Sequence, residues 1–463
     1  MLFNSLEFAI FLPLVFALYW LLNKRLKWQN LFVVAASYVF YGWWDWRFLG
    51  LIAFTSFCSW GSGLLIAKSA KPKLWLVLNI VVNLLILGVF KYFNFFVGSF
   101  CDLFGISNNI ALKVILPVGI SFYTFQALSY SIDVYRKRIV ATRDAVAFFA
   151  YVSFFPQLVA GPIERATNLL PQFERKREFN YPEAVDGMRR ILWGLFKKIV
   201  VADNCAAFVD QVWGNYQNES GSTLALAAIL FAFQIYGDFS GYSDIAIGTA
   251  KLFGIRLKDN FLTPYFSRNV AEFWKRWHIS LNTWFVDYVY IPLGGSQEGK
   301  WKTIRNTFVI FLLSGLWHGA NWTYVAWGLY HALLFVPLIL LGRTRKYQGT
   351  ATWKQLPQIL LTFVLSTIGL IIFRAPSIGE AWGYFCRIVD KSFFTMPNHQ
   401  GINGLIFTTI ILVLVEWFSR HREHALELRW CKYGFVRYII YTVVLVLIFM
   451  FGGHAENFIY FQF

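Results

Sequence analysis

Seven histidines occur in the 463 residues, and two of them stand where a titratable ring is costly. His318 lies in the apolar stretch LLSGLWHGANW, Leu312 to Trp322, with Trp317 before it and Gly319 after it. An ionisable side chain in a hydrophobic span is a functional-site hypothesis by default. A neutral imidazole takes a proton from a hydroxyl near pH 7, as a general base must. The small residues beside His318 let another group approach the ring. Asn321, three residues on, shares its helical face if the helix continues. The other reading is a histidine hydrogen-bonded to a backbone carbonyl, and the residues alone leave the two even.

His278 sits in FWKRWHISLNTWF beside Lys275 and Arg276. The spacing places Trp274, Trp277 and His278 near one face. This suits a second catalytic or orienting group, or an interfacial anchor. Lys275 and Arg276 fit the phosphates of a donor such as coenzyme A, or a pair of snorkelling cations. IYGDFSGYSDIAIG sets Asp238, Ser240, Tyr242 and Asp244 between apolar runs. Carboxylates buried near a membrane must be paired or hydrogen-bonded, so these residues hold a polar cavity together or orient a base. FFPQLVAGPIER reads as a helix end and turn, with Glu164 and Arg165 as an ion pair. His331, within WGLYHALLF, reads as a satisfied core residue; His399, His421, His424 and His454 read as surface groups. There is no GxSxG elbow, P-loop, HExxH or cysteine next to a plausible base. An enzyme built on these residues needs a donor that arrives already activated. Five scattered cysteines argue against a zinc site or a disulfide framework.

The elements that must position these groups are membrane helices. The chain is 57% hydrophobic and 20% aromatic, and only 14% charged, against roughly 25% charged in soluble domains. Its mean hydropathy is +0.50. Apolar runs at 6–22, 30–43, 48–67, 74–95, 115–132, 145–160, 222–237, 305–317, 322–341, 357–373, 403–419 and 437–452 predict about 11 transmembrane helices in a single domain, 1–463. The first run lacks the basic leader and small-residue cleavage site of a signal peptide. A net charge of +17 does not indicate nucleic acid, because the basic residues cluster in short segments between apolar runs. Placing those segments inside puts both termini outside. The polar middle, about 161–200 and 254–306, is too patterned for plain loops. MRRILWGLFKKIV suits an amphipathic helix at the cytoplasmic surface. The rest of this middle folds back as re-entrant pieces around a central cavity.

Together, LPVGISFYTFQALSYSIDVYR, FFPQLVAGPIER, YGDFSGYSDIAIG, FWKRWHISLNTWFVDYVYIPLGGS and LSGLWHGANWTYVAWGLYHA resemble the membrane-bound O-acyltransferase (MBOAT) family, and within it the alginate O-acetyltransferase branch. The resemblance covers most of the chain. It implies an all-α membrane fold around a tunnel, with His318 as the essential histidine and His278 at the second motif position. It implies no bound cofactor, acetyl-CoA as the acyl donor, and a bacterial inner-membrane location among lipids. An SGNH-type partner outside the membrane then places the acetyl groups on a polysaccharide. Asn321 and His278 are expected to position the reacting groups or stabilise the oxyanion. The competing readings are D-alanyl transfer to teichoic acid, O-acetylation of peptidoglycan or cellulose, and a transporter or channel without chemistry.

Overall fold

Apolar runs bounded by lysine, glycine and proline become helices, because a chain in lipid must satisfy its own backbone. The computed structural model describes residues 1–106, 111–112, 114–397, 399, 401–452 and 458–459, and every regular element among them is helical. Seven helices among the described residues are long and apolar enough to cross a membrane. The runs at 6–22, 30–43, 115–132 and 305–317 form shorter or more polar helices: Leu6–Leu21, Leu26–Gly42, Ile120–Tyr135 and Lys300–His318. The run at 145–160 is broken into Ala145–Ser153 and Phe155–Leu158. Pro156 lacks the N–H that would continue the first helix, and its ring would clash with the carbonyl four residues back.

The chain divides into two compact units: residues 1–188 with 246–258, and residues 189–245 with 259–463. In the first, a buried amide and hydroxyl seam joins three helices, since lipid offers no hydrophobic drive for helix pairing. Asn79 donates to Ser131 Oγ at 2.8 Å and accepts from Ser59 at 3.2 Å. Asn83 donates to the Asn79 carbonyl at 2.9 Å. Glu164 accepts from the Lys258 N–H and from Asn168 Nδ2, closing the GPIER turn.

The second unit carries all the candidate site residues. Its organising stretch, residues 221–245 of the helix Gly221–Leu252, closely approaches the MRRILWGLFKKIV segment. A Cβ on Gly194 would lie 2.6 Å from the Gly241 carbonyl oxygen, so glycine is required there for steric reasons. That segment is not a surface helix with outward cations. Arg190, Lys197 and Lys198 are buried. Arg190 pairs with Asp244 at 2.8 Å and with Asp259 at 2.6 Å; Lys197 pairs with Asp244 at 2.6 Å. Lys198 pairs with Asp203 at 2.7 Å and with Asp238 at 2.8 Å. A π-helical turn, Phe196–Ala202, widens the helix here and brings both adjacent lysines onto the carboxylates.

Breaking such a pair leaves a buried charge uncompensated, so Lys198→Met should cost about 3–5 kcal/mol. The measurement is thermal unfolding of the purified protein in detergent. Lys302→Met, at an exposed i,i+4 pair, should leave the transition where it is.

Candidate functional site

His318 is the last residue of the Lys300–His318 helix and is 5% exposed. Gly319 is extended, with φ −165° and ψ 159°, and ends the helix. Asn321 therefore does not share the His318 face. It caps the next helix, Trp322–Leu340, by accepting from Thr323 N at 3.0 Å, and it donates to the Pro376 carbonyl at 3.0 Å. The reason lies at Gly319, where a Cβ would fall 2.1 Å from the Tyr324 ring. The returning helix claims the space a continuing helix would fill.

His278 adopts the left-handed region, φ 46° and ψ 51°, between the helices Val270–Arg276 and Ile279–Phe285. A non-glycine residue there stores roughly 1–3 kcal/mol and persists only where its surroundings dictate it. Trp277 leaves helical geometry just before it, so Trp274, Trp277 and His278 do not form one helical face. The ring of His278 is 1% exposed. Its Nδ1 lies 3.2 Å from Asn260 Oδ1, which also accepts from the Ser280 N–H at 3.1 Å and the Ser280 hydroxyl at 2.8 Å. A backbone N–H only donates, so this Asn260 atom is the oxygen and His278 Nδ1 carries the proton. The lone pair is on Nε2. Burial pulls the imidazole down to about 3, so the ring is neutral.

The two histidine rings are 6.4 Å apart between centroids. Aromatic rings pack both of them. Phe239 sits 4.6 Å from His278, and Trp317 lies 5.8 Å from it. Trp327 and Phe373 sit 5.2 Å and 5.3 Å from His318. Asn260, Phe239, Trp327 and Phe373 are the neighbours that sequence reasoning missed.

The remaining candidates divide. Lys275 donates to the Thr344 carbonyl at 3.1 Å and lines a cavity. Arg276 does not stand ready for a phosphate; it holds Glu272 at 3.0 Å and the Leu262 and Gly349 carbonyls. Burial pushes the Glu272 carboxyl up, but Arg268 and Arg276 together hold it below the usual carboxylate range. Asp238 pairs with Lys198 and accepts the Ile459 N–H at 2.7 Å. Ser240 and Tyr242 are buried, and the Tyr242 ring packs 4.9 Å from Phe458. These three, with Asp244, thus lie on the helix that carries Phe239 against His278. His331 is a core residue, its Nδ1 accepting from Trp274 Nε1 at 3.3 Å. His399 faces Glu219 at 3.1 Å, and His421 meets the Thr350 hydroxyl at 3.0 Å. His424 is buried, contrary to the surface role expected of it. His454 lies outside the described residues.

Two cavities border the segment that carries His318. One, of about 440 Å³, is lined by Thr303, Thr307, Phe311 and Ser314 of the His318 helix, with Lys275 and Arg345 on its wall. Ser314 is one turn before His318. The other, of about 680 Å³, is lined by Asn321, Tyr324, Arg374, Trp213 and Asp210. The His318 ring is part of neither lining.

Residues 136–375 match the model of the membrane-bound O-acyltransferase family. The chain is 39% identical over 424 residues to a probable alginate O-acetylase of Pseudomonas aeruginosa, covering 89% of this chain and 80% of that protein. It is 36% identical over 418 residues to a peptidoglycan O-acetyltransferase of Helicobacter pylori, covering 82% and 78%. A teichoic acid D-alanyltransferase of Bacillus subtilis is 27% identical over 273 residues, covering 55% and 68%.

The neutral His278 sets a pH dependence. Unfolding returns the ring to its ordinary value of 6.5, so below that pH the unfolded chain binds a proton that the folded ring refuses. The His278 contribution is complete above pH 6.5 and is lost as the pH falls toward about 3. Unfolding midpoints across this window should fall less steeply for His278→Gln than for the natural chain.

Proposed function

This chain belongs to the membrane-bound O-acyltransferase family, and from that premise we propose that it carries acetyl groups from cytoplasmic acetyl-CoA across the membrane. The acetyl groups serve O-acetylation of an extracytoplasmic polysaccharide such as alginate, with an SGNH-type protein as partner. The name of the Pseudomonas aeruginosa relative supports alginate as the acceptor. The Helicobacter pylori relative supports peptidoglycan as the second reading, with the same acetyl chemistry and a different sugar.

The observation that carries the proposal is that two cavities of different character border the segment carrying His318, one at Ser314 and the other at Asn321. The 440 Å³ cavity has apolar walls from Ile310, Phe311, Phe335 and Ile339, with Lys275 and Arg345 among them. This suits a slender thioester arm followed by phosphates. The 680 Å³ cavity is lined by amides, phenols and the charged groups of Asp210, Arg374 and Glu380, which suits a hydroxylic acceptor. The basic loops at 24–27, 68–73, 135–143 and 420–437 support a reading in which the donor cavity's 343–346 loop faces the cytoplasm and both termini lie outside a bacterial inner membrane.

In the reaction, His318 takes the proton of the acceptor hydroxyl as its oxygen attacks the thioester carbonyl. The C–S bond breaks, and the thiolate leaves with the proton that His318 has held. His278, with its lone pair on Nε2, can orient the hydroxyl but cannot donate to an oxyanion. Asn321, committed to its cap and to Pro376, shapes the acceptor cavity.

The test is purified protein with radiolabelled acetyl-CoA, following free coenzyme A and labelled acceptor. His318→Ala should lower transfer by roughly 10²–10⁴-fold. Undiminished transfer in a folded His318→Ala protein would overturn the assignment, and a channel without chemistry would release no coenzyme A.

A further inference from the structure

The acceptor cavity stops one aromatic layer short of His318. That layer is Tyr324 and Phe373. Tyr324 lines the cavity and is still only 8% exposed. Its ring rests on Gly319, where a Cβ would lie 2.1 Å from Cε2. On its other side it meets Phe373 edge-on, with ring centroids 4.8 Å apart. Phe373 in turn covers His318 at 5.3 Å, again edge-on.

The layer is held from behind. Arg374, the residue after Phe373, ends the helix Leu356–Arg374. Its guanidinium is ion-paired with Asp210 and lies over the rings of Trp213, at 5.3 Å, and Phe231, at 4.9 Å. Asp210 is half-exposed in the same cavity, so the clamp is anchored at the cavity wall. Gly315 meets the Tyr324 carbonyl oxygen so closely that the two helices bearing His318 and Tyr324 cannot be spaced by any side chain there.

We propose that Tyr324, backed by Phe373, is a barrier that keeps water from His318 until an acceptor hydroxyl displaces it. It thereby determines whether the thioester is transferred or hydrolysed. The inference rests on the His318 reading above. A base able to deprotonate an acceptor hydroxyl can equally deprotonate water. Water would then attack the thioester carbonyl and the C–S bond would break. Acetate would form, and the thiolate would leave with the proton from His318. Excluding water from a closed site suppresses this side reaction. An aromatic layer does so without hindering a hydroxyl carried on a larger molecule, whose contacts with the cavity can compensate for moving the ring.

The experiment uses the full chain in detergent, with acetyl-CoA and no acceptor, and measures free coenzyme A. Tyr324→Ala should raise this hydrolysis about tenfold, because water now reaches the base. Tyr324→Phe keeps the ring and should hydrolyse well below the Tyr324→Ala rate. In the double variant His318→Ala/Tyr324→Ala, hydrolysis should return to background. If Tyr324→Ala does not fold, Phe373→Leu carries the same expectation. A folded Tyr324→Ala or Phe373→Leu protein that hydrolyses no faster than the natural chain overturns the barrier. Loss of His318 without loss of transfer would instead overturn the reading beneath it, so the two failures are distinct.

Discussion

Charge is costly away from water, and in the second compact unit this cost is met by pairing. Arg190, Lys197 and Lys198 are buried opposite Asp203, Asp238, Asp244 and Asp259. Each cation is tolerable only because a carboxylate lies within hydrogen-bond distance. The pairs fix both the rotation and the depth of the Gly221–Leu252 helix. Phe239 is adjacent to Asp238, so the ion pair of one residue sets where the ring of the next one lies. That ring forms the wall of His278. The charge cluster is therefore upstream of the site, acting on His278 through the position of Phe239.

Around His278 the structure keeps the imidazole neutral and aimed. His278 Nδ1 is hydrogen-bonded to Asn260 Oδ1, and that oxygen is in turn fixed by Ser280. His318 packs against Trp327 and Phe373, at a helix end where the chain leaves helical geometry at Gly319. Neutral rings cost far less to bury than charged ones, and a neutral ring is the form that accepts a proton. Dry surroundings thus serve both the fold and the chemistry that the family performs.

Much of this was legible in the sequence. His318 stood out because a titratable ring in LLSGLWHGANW needs a reason, and the apolar runs foretold the helices. Nonlocal matches were not legible. MRRILWGLFKKIV has the same pattern whether its cations meet water or buried carboxylates; what decides is Asp238 and Asp244 on another helix. Asn260 lies eighteen residues before His278, in no recognisable motif. Phe373 is an apolar residue in an apolar run, so nothing marks it as the cover of His318. Asn321 was misplaced because periodicity assumes that a helix continues, whereas Gly319 stops it to admit the Tyr324 ring.

The central claim is that one buried histidine is served from two cavities, one bordering its segment at Ser314 and the other at Asn321. The most direct measurement uses sealed vesicles in which every protein has its 343–346 loop facing inward, with labelled acetyl-CoA on one side and a soluble hydroxylic acceptor outside. The account expects label on the acceptor only when the donor is inside, with coenzyme A released inside. Label transferred from donor supplied solely outside, in vesicles that remain sealed, would contradict it.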